Sequence, residues 1–190
     1  MNLYRENLRR LIRPLLAGRP AERALDFGSG DGLFARVFAE EGWAREVVPV
    51  DVQRRARTVV EPVLYDGVRL PFADRSFDLV YALDVLHHCP DPLASLRDLL
   101  RCTSRHVLLK DHNSGSTLDH WTLAVLDEIG NRRFGVPSLY RYQKDWEWLP
   151  VIEAEGFVRE ALIHPARCET RPPISWVSNR LHFVGLWRRL

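Results

Sequence analysis

Apolar positions along the chain follow two alternating rhythms. Short, nearly continuous apolar runs predict strands at 23–27, 47–51, 59–65, 78–83 and 105–111. Between them the apolar residues recur with a helical period. Leu33, Phe34, Val37 and Phe38 mark one face of a helix. Asp91-Pro92 opens another, with aspartate as N-cap and proline at the first helical position, ahead of Leu93, Leu96, Leu99 and Leu100. Ser116 and Asp119 form a capping-box variant, predicting a helix with Leu118, Trp121, Val125, Leu126 and Ile129 inward and Gly130 closing it. A helix over 144–155, bent or stopped near Pro150, precedes two last strands at Phe157 to Ile163 and Leu181 to Trp187, with a Pro-rich loop at 165–175 between them. Within residues 1–20, Leu8, Leu11, Ile12, Leu15 and Leu16 interleave with Arg5, Arg9, Arg10 and Arg13, an amphipathic helix with a solvated basic face. Strands alternating with helices predict an α/β fold, a mostly parallel sheet with helices on both faces.

Where the first strand meets its helix, residues Ala24 to Gly32 read A-L-D-F-G-S-G-D-G. Three glycines remove three Cβ atoms, so the chain can turn sharply and a ligand can approach its amides. A dinucleotide fingerprint G-x-G-x-x-G needs glycine at position 33, and Leu33 stands there. The second strand ends in Asp51, a carboxylate placed to accept hydrogen bonds from the ribose hydroxyls of an adenosine. Ligands of such sheets bind outside the carboxyl ends of the strands, so Gly28 to Gly32, Asp51, Asp66, Leu83 to His88 and Asp111-His112 are expected in one cleft.

The D-x-G-x-G-x-G pattern resembles motif I of class I S-adenosylmethionine-dependent methyltransferases. Tyr65-Asp66-Gly67, Leu70-Pro71-Phe72 and Ser76-Phe77-Asp78 resemble the segment that family places around adenine. Phe77 to Asp84, running into Val85-Leu86-His87-His88-Cys89-Pro90-Asp91-Pro92, resembles motif IV of its members with a methyltransferase type 11 domain. Four motifs in order span roughly residues 22 to 112. The resemblance implies a Rossmann-like class I fold: a mostly parallel seven-stranded sheet, helices on both faces and an antiparallel C-terminal edge. It implies S-adenosylmethionine as cofactor, held by Asp26, Gly28, Ser29, Gly30, Gly32, Asp51, Val52, Asp66, Gly67 and Leu83, with Asp66 accepting from the adenine amino group. One domain is expected over 1–190, with the 1–20 helix covering the cleft and 112–150 forming the acceptor pocket.

Methyl transfer requires the acceptor in line with the sulfonium carbon, and an oxygen or protonated-amine acceptor must also lose a proton. His88 and His112 are the candidate bases, with Asp111 available to orient His112. His106, His120, His164 and His182 are read as structural or solvated. Asp84-x-x-His87-His88 is similar to the E-x-x-E-H segment of quinone-biosynthesis O-methyltransferases, where a divalent metal is implied. Aspartate and histidine replace its two glutamates, so no metal is expected. Asn131-Arg132-Arg133-Phe134-Gly135-Val136-Pro137, with Tyr140, Tyr142, Trp146 and Trp148, offers aromatic residues for a planar or lipophilic acceptor.

Composition narrows the partners. The 190 residues carry a formal charge of +2 without a clustered basic stripe, so no nucleic-acid partner is expected. Neither a signal peptide nor a membrane span can be read. Three cysteines without C-x-x-C spacing suggest neither disulfides nor a zinc site, consistent with the cytoplasm. The leading expectation is methylation of a small molecule at oxygen. RNA or protein methylation, and a non-catalytic binding protein on the same fold, are the alternatives.

Overall fold

A computed structural model describes residues 2–131 and 139–190. Helix α1 (Leu3–Leu16) leads into β1 (Ala21–Phe27), α2 (Leu33–Glu40), β2 (Ala44–Asp51), β3 (Val63–Leu64), β4 (Phe77–Leu83), α3 (Pro92–Cys102) and β5 (Thr103–Ser114). Then follow α4 (Thr117–Asn131), β6 (Gln143–Lys144), α5 (Trp148–Ala154), β7 (Phe157–Ile163), α6 (Ile174–Ser178) and β8 (His182–Arg189). The strand order is β3-β2-β1-β4-β5-β8-β7, with β6 paired to the end of β5. Strands β1 to β5 pair in parallel, and β8 runs antiparallel to both β5 and β7. The mostly parallel sheet with an antiparallel C-terminal edge is the architecture expected from the sequence.

The middles of the central strands are mostly apolar because both their faces are covered. One face of the sheet packs Leu25, Val80, Leu99 and Val107 with Trp148 of α5. The other packs Leu8 and Ile12 of α1 with Phe38, Tyr81 and Leu108. The basic face of α1 is internally matched: Arg9 pairs with Glu6 and Glu41, and Arg13 with Glu41. Asp91 caps α3 as expected, accepting from Ala94 N at 3.0 Å.

Four expectations need correction. The third strand is not 59–65 but only Val63–Leu64, because its first residues pack on the glycine loop: Val59 N donates to Asp31 O at 2.6 Å. The fifth strand reaches Ser114, so Asp111 and His112 lie within it rather than after it. The helix over 144–155 starts only at Trp148, since Asp145 and Trp146 take left-handed φ of 47° and 63° and break the run.

Helix α4 is rotated against expectation. Leu118, Trp121, Val125 and Ile129 point outward, at 71%, 64%, 58% and 68% exposure, while Leu123 and Ala124 are buried. Its carboxylates set this rotation: Asp119 accepts from Ser116 Oγ and pairs with Arg180 at 2.6 Å, and Asp127 accepts from Tyr142. Turned inward, each carboxylate has partners that offset the cost of burying its charge. Leu118, Trp121 and Val125 of this stripe line a groove of about 410 Å³ with Pro173, Ile174 and Val177. The helix is described through Asn131, one residue past the expected stop at Gly130.

Candidate active site

The glycine loop is built by close approach. Gly28, Gly30 and Gly32 have φ of 67°, 59° and 73°. A Cβ on Gly28 would lie 2.0 Å from Val85 Cγ2, and one on Gly32 would lie 2.4 Å from Val60 O. At Gly30 it would meet nothing within 4 Å. The outer two glycines therefore lock the loop to its neighbours, and Gly30 is the open apex. Gly32→Ala combines a left-handed backbone with a clash against another backbone, so it is expected to destabilise the fold by about 1–3 kcal/mol or more. Denaturant unfolding checks this, and an unchanged midpoint would mean that the loop relaxes freely.

Gly28 N and Ser29 N both donate to Val50 O, at 2.9 and 3.0 Å. Asp51, nearly buried at the tip of β2, clamps the loop: its Oδ2 accepts from Gly30 N at 2.8 Å and its Oδ1 from Gln53 N at 3.2 Å. Val52 is exposed beside Gly67, whose added Cβ would lie 3.1 Å from Val52 Cγ1. Asp66 caps its own turn, accepting from Val68 N at 2.8 Å and Arg69 N at 3.2 Å, and these bonds hold its carboxyl below the usual range. Leu83, at the end of β4, packs against the core on the α1 side.

Asp26 is 3% exposed, and its Oδ2 lacks a hydrogen-bond partner among the described residues, as does Ser29 Oγ. Burial, with a further push from the charge of Asp51, raises Asp26 to about 8 against the pull of Tyr81. The folded chain thus binds a proton at Asp26 that the unfolded chain has released by neutral pH. The linked stability is fully present below about pH 3.8 and is lost as the pH rises to about 8. Asp26→Asn is therefore expected to melt with a flatter pH dependence than the parent between pH 5 and 8. Parallel curves would contradict the burial argument.

Beyond β4 the chain turns at Asp84, a non-glycine residue with φ of 57°. Tyr4 Oη donates to Asp84 Oδ2 at 2.7 Å, and the fully buried Lys110 donates to Asp84 Oδ1 and, at 2.5 Å, to Tyr4 Oη. Arg5 pairs with Asp31 of the glycine loop at 2.7 Å. The first turn of α1 is thereby tied to both sides of the cleft.

The short turn Leu86–His88 carries two histidines. His87 is buried, with Nδ1 2.5 Å from Asp111 Oδ1 and Nε2 3.7 Å from Asp127 Oδ1. Burial opposes a charge on His87, but the two carboxylates outweigh it and raise the ring to about 10. Burial likewise pushes Asp111 up, but His87 and His112 outweigh it and hold Asp111 well below the usual range. His112 meets the same carboxylate: its backbone N donates to Asp111 Oδ1 at 2.8 Å and its Nδ1 lies 3.3 Å from that atom. Burial, followed by the charge of Lys110, lowers His112 and keeps it neutral. With Nδ1 assigned as the donor to Asp111, Nε2 is the free base, 4.0 Å from Asp84 Oδ1. Burial and the charge of His87 also lower His88, whose Nδ1 finds no partner among the described residues.

His88 and His112 thus flank His87, with ring centroids 4.1 and 4.9 Å from it. His182, expected to be structural or solvated, is buried with its ring centroid 4.5 Å from that of His112, because β8 pairs His182 opposite His112. Burial holds it well below the usual imidazole range. Tyr4, Lys110 and Asp127 were also missed. No local pattern marks them, although charged residues at Lys110 and Asp127 within otherwise apolar segments are the signal a reader could have used. Of the expected aromatic residues, Tyr142 borders the histidines, Trp148 is core, and Tyr140 is exposed and donates to Glu128. Residues 132–137 lie outside the described residues. Among the described residues, two sets bring metal-ligating atoms within 4.8 Å of one another: His87, His88 and Asp127, and His87, Asp111 and His112.

A family model described as a methyltransferase domain matches residues 2–157. A demethylmenaquinone methyltransferase of Renibacterium salmoninarum is 28% identical over 70% of this chain and 62% of its own length. A 27-O-demethylrifamycin SV methyltransferase of Amycolatopsis mediterranei is 29% identical over 91% of the chain and 65% of its own length. The chain therefore spans less than two thirds of the length of these relatives. A solved structure from Listeria monocytogenes, titled as a putative S-adenosylmethionine-dependent methyltransferase, superposes with a TM-score of 0.70 at 14% identity, covering 99% of each chain.

Proposed function

The chain belongs to the class I S-adenosylmethionine-dependent methyltransferase family, and on that premise we propose that it methylates a small molecule at oxygen, with His112 as the general base. The observation that carries this reading is the Asp111–His112 pair, neutral at the imidazole and oriented by a carboxylate, at the carboxyl end of the sheet that also bears the glycine loop. S-adenosylmethionine supplies an electrophilic sulfonium methyl. The loop fits such a cofactor: an open apex at Gly30, the partnerless Asp26 Oδ2 and Ser29 Oγ, and the Asp51 carboxylate at the ribose position. Gly28, Gly32, Val52, Gly67 and Leu83 would line it, and Asp66 would take the adenine amino group on the carboxylate oxygen that its turn leaves over.

The acceptor would enter between the 112–150 segment and α1, whose Tyr4 and Arg5 fasten the cover. His112 would take the acceptor proton at Nε2 while Asp111 holds Nδ1 and supports the resulting charge. His88 is the weaker base, since no carboxylate orients it. The small-molecule reading is supported by the relatives' names. No helix among the described residues is long and apolar enough to cross a membrane.

The experiment is a screen of phenolic, hydroxyquinone-like and amine acceptors with S-adenosylmethionine, scored by mass spectrometry for a methylated product. Oxygen-methylated product is the expected result, and methylation only at nitrogen or carbon would overturn the oxygen assignment. Because burial lowers His112, kcat/KM for the true acceptor should climb with an inflection below pH 6.5 and be level through neutrality, in a pH profile taken under subsaturating acceptor. An inflection above pH 6.5 would assign the proton elsewhere.

A further inference from the structure

We propose that His87, His88 and Asp127 form a binding site for one divalent first-row transition-metal ion beside His112. Each offers a ligand atom, and the three atoms lie within 4.8 Å of one another. The spacing of two of them is informative. His87 Nε2 and Asp127 Oδ1 are 3.7 Å apart, too far for a hydrogen bond. Two ligand atoms each about 2.1 Å from one ion in a tetrahedral arrangement would be separated by about 3.4 Å, near the spacing here.

The surroundings aim these ligands as metal sites require. Asp111 holds His87 Nδ1 at 2.5 Å, which fixes the ring and turns Nε2 toward Asp127. Tyr142 Oη donates to Asp127 Oδ2 at 3.0 Å and orients that carboxylate in turn. His88 brings a buried ring nitrogen with no partner among the described residues. The carboxylate arrives only because α4 turns its charged side inward, against its apolar periodicity. Asp84, which a reading of the D-x-x-H-H segment would recruit, is instead engaged by Tyr4 and Lys110. The ligands therefore come from the Leu86–His88 turn and from α4.

Two imidazoles and one carboxylate suit zinc, cobalt(II) or iron(II) and do not suit magnesium or calcium, which take oxygen sets. Three protein ligands leave at least one position open. In the functional role we assign, which rests on the proposed methyl transfer, that position takes the acceptor oxygen, with His112 4.9 Å from His87 ready for its proton.

The test is a cobalt(II) titration of tag-free, chelator-stripped protein, read by the visible d–d absorption. S-adenosylhomocysteine affinity is measured in parallel on every sample. The proposal expects saturation at one equivalent, displacement by zinc(II), and no competition from millimolar magnesium. His88→Gln and Asp127→Asn should abolish the saturable bands. Asp111→Asn should weaken binding by about 10- to 100-fold, and Tyr142→Phe, which removes only a hydroxyl, should weaken it less. No saturable binding, or bands unchanged in His88→Gln and Asp127→Asn, would overturn the site and leave His87 as an imidazolium bridging Asp111 and Asp127. Cobalt binding without S-adenosylhomocysteine binding would instead sustain the site and count against the methyltransferase reading. The converse pattern would sink the site alone.

Discussion

His112→Ala is expected to lower kcat for the true acceptor by about 10²- to 10⁴-fold, the usual contribution of a positioned general base. Its affinity for S-adenosylhomocysteine should hardly change, because the ring sits within β5 against His87 and His182, whereas the cofactor loop is built on β1 and β2. The split between kcat and cofactor affinity separates loss of a base from loss of the site. His88→Ala removes a ligand of the metal site proposed above, so a rate loss there reads on that site and not on the base. A full-rate His112→Ala enzyme would remove this residue from the chemistry.

Asp51→Ala is expected to weaken S-adenosylhomocysteine binding by about 10- to 150-fold. Hydrogen bonds to a charged group contribute roughly 1.5–3 kcal/mol each, and one such loss sets that range. The structure adds a second reason for a large effect. Asp51 already accepts from Gly30 N and Gln53 N, so removing it also frees the loop apex that the ligand must meet. Asp51→Asn keeps one acceptor oxygen and should fall between parent and alanine in a calorimetric series. Equal affinities across the three would place the adenosine away from β2.

What could be read from the sequence was set by how local its cause is. The glycine loop is local: three glycines after a strand permit the left-handed backbone that other residues rarely adopt, and the structure gives all three positive φ. The Asp91-Pro92 cap is local as well, and α3 starts at Pro92. The mostly parallel sheet with its antiparallel edge followed from the alternation of strands with helices and from the resemblance to the family.

The rotation of α4 could not be read in this way. Its period places Leu118, Trp121 and Val125 on one face and Asp119, Leu123 and Asp127 on another. The face that turns inward is decided by Arg180, Tyr142 and His87, which come from three other parts of the chain. The histidine cluster has the same origin. Asp111-His112 is visible as a dipeptide, but His182 joins it only through the register of β8 on β5, and that register is fixed by packing along the whole strand. Tyr4 and Lys110 meet Asp84 across 80 and 26 residues of chain. The glycine loop was therefore largely legible, and the histidine cluster was not.

The central claim is that this cleft binds an adenosyl sulfonium cofactor at the Gly28–Gly32 loop. Calorimetric titration of the purified chain with S-adenosylhomocysteine, with NADH as the control ligand, tests it most directly. Saturable binding of S-adenosylhomocysteine at one equivalent, with no heat from NADH, is the predicted result. No binding of S-adenosylhomocysteine, or binding of NADH in its place, would contradict the account.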